Sequence, residues 1–258
     1  EKEVEYLLVG DSFTLGACVN RPYDIASVLR TISGKPTLNL GYDGNGPLLE
    51  YATLKEYLNS RVKKVIWIYY GNDFYNLRFE LKNEILLKYL NTPNATQNLR
   101  SKQNEIDTLV RKIIKEKEKK KINKSAIIFF LKLNETRSIL NNYLPENQQP
   151  KNEISKLEID KFKKILNLTK DIIIKNNSKL YFVYLPEFNH YQTNYDDTNY
   201  FLVKNIVKEL NIPFIDIHKE VFEKEKNPLN FFPFKMPGHY NVEGYKKVAE
   251  EIYKFTKD

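Results

Sequence analysis

Cysteine, methionine and tryptophan each occur once in this 258-residue chain, and histidine three times. A single cysteine, Cys18, excludes an internal disulfide and leaves the redox compartment open. Its place six residues after Ser12 reads as a small buried hydrophobe at the base of the first helix, not as a second nucleophile. No run of about 18 apolar residues occurs, so the sequence contains no membrane-spanning helix. His190 and His218 read as surface or loop histidines, because no Cys, His or carboxylate spacing around them supports a metal site. No internal repeat is present, and no metal or cofactor is implied.

What the chain has in excess is positive charge: 41 Lys and Arg against 33 Asp and Glu, net +8, with an isoelectric point near 9.2. That balance favours an acidic partner such as an anionic glycan, nucleic acid or lipid. Lys, Asn and Ile abound along the whole chain, and a general compositional bias is the slightly favoured reading. No recognised nucleic-acid motif accompanies the charge, so nucleic acid is not an expected partner. The chain enters an apolar run almost at once, as expected for a piece of a longer protein. A signal or anchor beyond this sequence, and a place in the cell envelope, are expectations that go with it.

The length suffices for one sizeable core with an elaboration. Val4-Glu5-Tyr6-Leu7-Leu8-Val9 reads as a buried strand, and residues 24–30 carry helical spacing. Residues 36–42 read as a second strand, Asp43-Gly44-Asn45-Gly46-Pro47 as turn chemistry, and Pro47 as the start of a helix. Val65-Ile66-Trp67-Ile68-Tyr69-Tyr70 is a third strand, apolar on both faces as central parallel strands are. From about 74 to 150 the pattern turns helical and charged, with a basic run at 112–124 and an apolar patch at 126–133. This segment reads as a helical insertion, a cap or an interface for an anionic membrane surface or a partner protein, with a merely solvated helix face as the even alternative. A long helix, strands at 179–185 and 213–217, an intervening helix and an amphipathic closing helix at 243–255 complete the chain. Alternating strands and helices predict a parallel five-stranded sheet in a three-layer α/β/α sandwich, one domain over 1–258 interrupted by the insertion.

Four residues fall at or near predicted strand ends: Ser12 after the first, Gly44 after the second, Asn72 after the third, and His239 before the last helix. In an open parallel sheet those loops share one edge and converge there. The chemistry that uses such a set is acyl transfer, with Ser12 as nucleophile and His239 as general base and then acid. The backbone N–H groups of Ser12 and Gly44 and the Asn72 amide would form the oxyanion hole, each donor worth ~10²–10³ in rate. Asp11 and Asp73 read as pins for loop backbone. Phe231-Phe232-Pro233-Phe234 reads equally as a pocket wall or as core. The sequons at Asn94, Asn134 and Asn167 read as chance matches in an Asn-rich chain.

In these blocks the chain resembles the SGNH, or GDSL-like, hydrolase family. They are Gly10-Asp11-Ser12, Asn39-Leu40-Gly41-Tyr42-Asp43-Gly44, Gly71-Asn72-Asp73, and Gly238-His239-Tyr240-Asn241 with Gly244-Tyr245 behind it. The resemblance covers both ends of the chain but not 74–150. It implies a flavodoxin-like sheet and an esterase acting on O-acyl groups, often O-acetyl groups on sugars. It also admits a cell-envelope O-acyltransferase using the same Ser-His pair. One departure stands out: Met236 occupies the position, three before the His, where the family usually carries an orienting Asp. Spoiling that Asp in a Ser-His-Asp triad costs about 10⁴ in kcat. Either a backbone carbonyl holds His239, or Glu187 or Asp216 reaches it, or the chain is a weakly active or non-catalytic binding module of the same fold.

Overall fold

The computed structural model describes residues 3–122 and 154–257. The chain divides into two compact units, one of Glu1–Thr96 with Lys156–Asp258, the other of Gln97–Ser155. The first contains a five-stranded, wholly parallel sheet ordered β2-β1-β3-β4-β5. Its strands are β1 (Val4–Val9), β2 (Thr37–Asn39), β3 (Val62–Tyr69), β4 (Lys179–Tyr184) and β5 (Phe214–Asp216). This is the flavodoxin-like order, whose switch point lies between β1 and β3.

Both faces of the sheet are covered, which is why its central strands are apolar throughout. Alternate residues Tyr6, Leu8, Ile66, Ile68, Tyr181 and Val183 join a core with Ile25, Leu29, Tyr245, Val248 and Ile252. Those last five lie on α2 (Ile25–Ser33) and the closing helix, here α9 (Val242–Thr256), which pack against each other. Asp24 starts α2 by accepting from Ser27 N–H (3.1 Å), and Asn241 starts α9 by accepting from Gly244 N–H (3.0 Å). On the opposite face Tyr69 and Phe182 meet Phe162 of α7 (Lys156–Lys175). Alongside α7 pack α3 (Pro47–Tyr57) and α4 (Asp73–Glu80), and α3 also contacts α5 (Glu84–Asn91). Two short elements, α1 (Ser12–Leu15) after β1 and α8 (Thr198–Glu209) before β5, complete the unit.

The sequence reading starts the insertion at 74. In the structure α4 and α5 bury Leu77, Leu86, Tyr89 and Leu90 within the sheet-bearing unit, and the second unit begins at Gln97. That unit contains a helical turn, Leu99–Lys102, running into α6 (Gln103–Ile122). The apolar patch at 126–133, the end of the basic run and the return loop at 145–150 lie outside the described residues.

Candidate active site

Ser12 opens α1 directly beyond the end of β1. Asp11 caps this short helix, its Oδ1 accepting from Phe13 N–H at 2.8 Å. Gly10 is required just ahead of it: a Cβ there would lie 2.1 Å from Thr14 Oγ1 and 2.6 Å from Ile68 O. The β2 loop is stitched onto the same turn, for Tyr42 N–H donates to Gly10 O (3.2 Å) and Asn39 Nδ2 to Thr14 O (2.6 Å). Gly44 sits in the turn closed by Asn45 N–H on Tyr42 O, at φ 79°. The β3 loop ties in through Asn76 Nδ2, which donates to Asn45 O at 3.1 Å. Three strand ends are thereby fixed to one another around Ser12.

Asn72 occupies the N-cap of α4, with its side-chain amide near enough to the Asp11 carboxylate to pull its pKa down, and Ser12 Oγ lies 3.4 Å from Asp11 Oδ2. Burial pushes Asp11 up to about 6, against the downward pull of its bonds from Phe13, Ser12 and Asn72. Asp73 is fully buried and accepts from Tyr70 N–H (3.3 Å). Both aspartates therefore do pin backbone. Sequence reasoning missed the carboxyl groups behind them. Glu80 caps α3 by accepting from Gly46 and Leu48 N–H (2.7 and 2.9 Å). Glu50 is wholly buried with neither oxygen hydrogen-bonded among the described residues. Burial above all raises Glu50 and Asp73 well above the usual carboxylate range, with the charges of Asp11 and Glu80 adding to it at Glu50 and those of Glu50 and Asp11 at Asp73.

His239 reaches Ser12 from across the chain: its Nε2 lies 2.8 Å from Ser12 Oγ, at a sequence separation of 227. The imidazole leans on the Phe13 ring (centroids 4.5 Å apart), and Phe13 in turn stacks on Tyr70 at 3.9 Å. The next residue, Tyr240, is fully buried and donates its hydroxyl to Pro186 O (2.6 Å), which anchors the loop. Burial lowers the His239 pKa, with Asp43 pulling the other way. The ring is thus neutral near pH 7, as a general base must be.

The other nitrogen, Nδ1, faces Cys18 Sγ at 3.7 Å. This corrects two expectations. Cys18 is exposed rather than a buried hydrophobe, because the chain turns outward there with φ 70°. Neither Glu187 nor Asp216 contacts His239. Glu187 lies over Gly71, where a Cβ would meet its Oε1 at 1.3 Å, and burial raises its pKa. Asp216 accepts from Tyr200 Oη (2.7 Å), Lys204 Nζ (2.8 Å) and Lys219 N–H (3.2 Å).

Two further expectations change. His190 and His218 are not surface residues: their side chains are 3% and 8% exposed, and their Nε2 atoms meet at 3.0 Å. Among the described residues no group of three or more His, Cys, Asp or Glu is arranged to hold a metal ion. The aromatic run before His239 divides, with Phe231 and Phe232 in the core and Phe234 93% exposed at φ 53°.

No protein-family model and no curated protein matches this chain. Solved structures do. A lipolytic-family G-D-S-L protein from Desulfitobacterium hafniense aligns at 15% identity and TM-score 0.55, covering 98% of this chain and 99% of that one. The acetyl xylan esterase AlAXEase aligns at 14% and 0.54, covering 98% and 100%. An acetylxylan esterase from Geobacillus stearothermophilus aligns at 13% and 0.52, covering 100% and 95%. At such identities the likeness is one of fold: the chain has an SGNH-like hydrolase fold, a three-layer α/β/α sandwich about a parallel sheet.

Proposed function

We propose that the chain is a serine esterase that removes O-acyl groups, O-acetyl groups on a carbohydrate above all. The observation that carries this reading is the 2.8 Å contact between Ser12 Oγ and a half-buried, neutral His239 at the edge of the sheet. The Ser12 proton passes to His239 Nε2 as Oγ attacks the ester carbonyl carbon. Collapse of the tetrahedral intermediate expels the alcohol oxygen, which takes the proton from Nε2. Water, deprotonated by the same nitrogen, then releases the acid from Ser12. Negative charge on the carbonyl oxygen is met by the Ser12 and Gly44 N–H groups and by Asn72. An amide has two N–H donors, so Asn72 can turn one toward Asp11 and keep the other for the oxyanion. Acetyl on a sugar is supported by the names of two structural neighbours, both acetylxylan esterases.

The test is hydrolysis of a small activated acetyl ester and of acetylated xylan oligosaccharides, together with labelling by a fluorophosphonate. Acetate release and labelling, both lost in Ser12→Ala and the former in His239→Ala, are expected. Activity persisting in Ser12→Ala would remove the serine mechanism. Acetyl transfer to an added oligosaccharide without acetate release would reassign the chain as an acyltransferase.

A further inference from the structure

A histidine that serves as base through Nε2 must carry its proton on Nδ1, and something must accept that N–H to hold tautomer and ring. In this chain Met236 stands where that acceptor is expected, Glu187 lies over Gly71, and Asp216 is bonded to Tyr200 and Lys204. The atom that faces Nδ1 is Cys18 Sγ.

Its surroundings are built for that contact. Cys18 adopts φ 70°, a left-handed conformation uncommon for a residue with a Cβ. The turn bearing it is tied to the nucleophile's own helix: Gly16 and Ala17 N–H both donate to Ser12 O, at 3.1 and 3.0 Å. From α9, the Tyr245 hydroxyl donates to Ala17 O at 2.9 Å. One short stretch therefore presents Oγ to one nitrogen of the His239 ring and Sγ to the other.

We propose that Cys18 is the positioning residue of this site, its sulfur accepting the His239 Nδ1–H and so holding the Nε2 lone pair toward Ser12. The inference rests on the esterase reading for its kinetic consequence, but not for the contact itself. Cys18 forms no bond to substrate: the moving proton shuttles between Oγ, Nε2 and the leaving oxygen, and Nδ1 keeps its own throughout. Sulfur is a weak acceptor, and an uncharged thiol stabilises the imidazolium less than a carboxylate does. The arrangement accordingly fixes geometry at the expense of rate.

Two experiments decide it. ¹⁵N spectra of histidine-labelled wild-type protein read the tautomer directly, and three histidines keep the assignment simple. The Nδ1–H form is expected for His239, passing to a mixture of tautomers in Cys18→Ala, which retains a Cβ on the strained backbone. Kinetics then test the consequence. Cys18→Ala should lower kcat by ~10–100-fold with little change in KM, below the ~10⁴ lost when a carboxylate partner is spoiled. Cys18→Asp should raise kcat above wild type and move the acidic limb of the pH profile to higher pH, since a carboxylate raises the imidazole pKa. A wild-type His239 protonated on Nε2, or the same tautomer and pH profile in wild type and Cys18→Ala, would overturn the proposal. Should no ester be hydrolysed at all, the spectra still decide the contact, and only the esterase reading falls.

Discussion

Replacing Asp11 by Asn should make the protein more stable and less active. Asn caps helices as well as Asp does, so the bond from Phe13 N–H survives. What disappears is a buried charge. Asp11 rises from 3.8 to about 6 in the folded protein. At roughly 1.4 kcal/mol per pKa unit, the ionised form costs about 3 kcal/mol of stability. The sign follows from linkage: with the folded pKa raised, this penalty is absent below pH 4, grows as pH rises to 6, and is constant above. Denaturant unfolding of wild type and Asp11→Asn at pH 4, 5, 6 and 7 is the assay. Its informative quantity is the difference between the two, in which removal of the Asp11 charge also eases Glu50 and Asp73. That difference should open from near zero at pH 4 to about 2–3 kcal/mol at pH 7. Activity should move the other way, since the new amide offers a donor where the Asn72 side chain faced an acceptor. A stability difference that does not vary with pH would refute the reasoning.

Three other outcomes follow from packing and charge. His190, held down to about 4, and His218, also lowered, are both buried neutral, so stability should fall as pH drops from 6.5 toward 4; melting of His190→Phe against pH should lack part of that fall. Gly71→Ala should destabilise by about 1–3 kcal/mol in thermal melts because its Cβ collides with Glu187, and the pair Gly71→Ala with Glu187→Ala should recover most of the loss. Phe234→Gly should raise the melting temperature by relieving a left-handed residue worth about 1 kcal/mol; a KM that worsens at the same time would identify the exposed ring as a substrate contact.

The sheet was legible because β1, β3 and β4 are apolar runs that end at Gly10, Gly71 and Pro186, and β5 follows Pro213. β2 is shorter than its pattern: Leu40 N–H still donates to Leu8 O, but Gly41 N–H turns back to Asn39 Oδ1 and Tyr42 N–H to Gly10 O beside the Ser12 turn. Ser12, Gly44, Asn72 and His239 could be ordered along one edge because topology alone sets which loops share it. The partners of those residues could not. Cys18 has the composition of a buried residue, and only the turn between Gly16 and Asn20 swings it outward to His239. The His190–His218 pair joins two short helical turns, Phe188–Tyr191 and His218–Phe222, that sequence spacing does not relate. Glu50 sits on a helix face where a carboxylate ordinarily meets water, and nothing local signals that α3 turns it inward.

That inward turn has a thermodynamic consequence. The formal charge of +8 counts every carboxylate as ionised. Glu50 and Asp73 are fully buried within one electrostatic neighbourhood, and leaving both ionised there would cost several kcal/mol. The folded molecule therefore carries at least one proton that its unfolded chain at pH 7 would release. Unfolding acidifies its surroundings, and a calorimetric unfolding enthalpy measured in phosphate will differ from one measured in Tris by the buffers' own heats of ionisation.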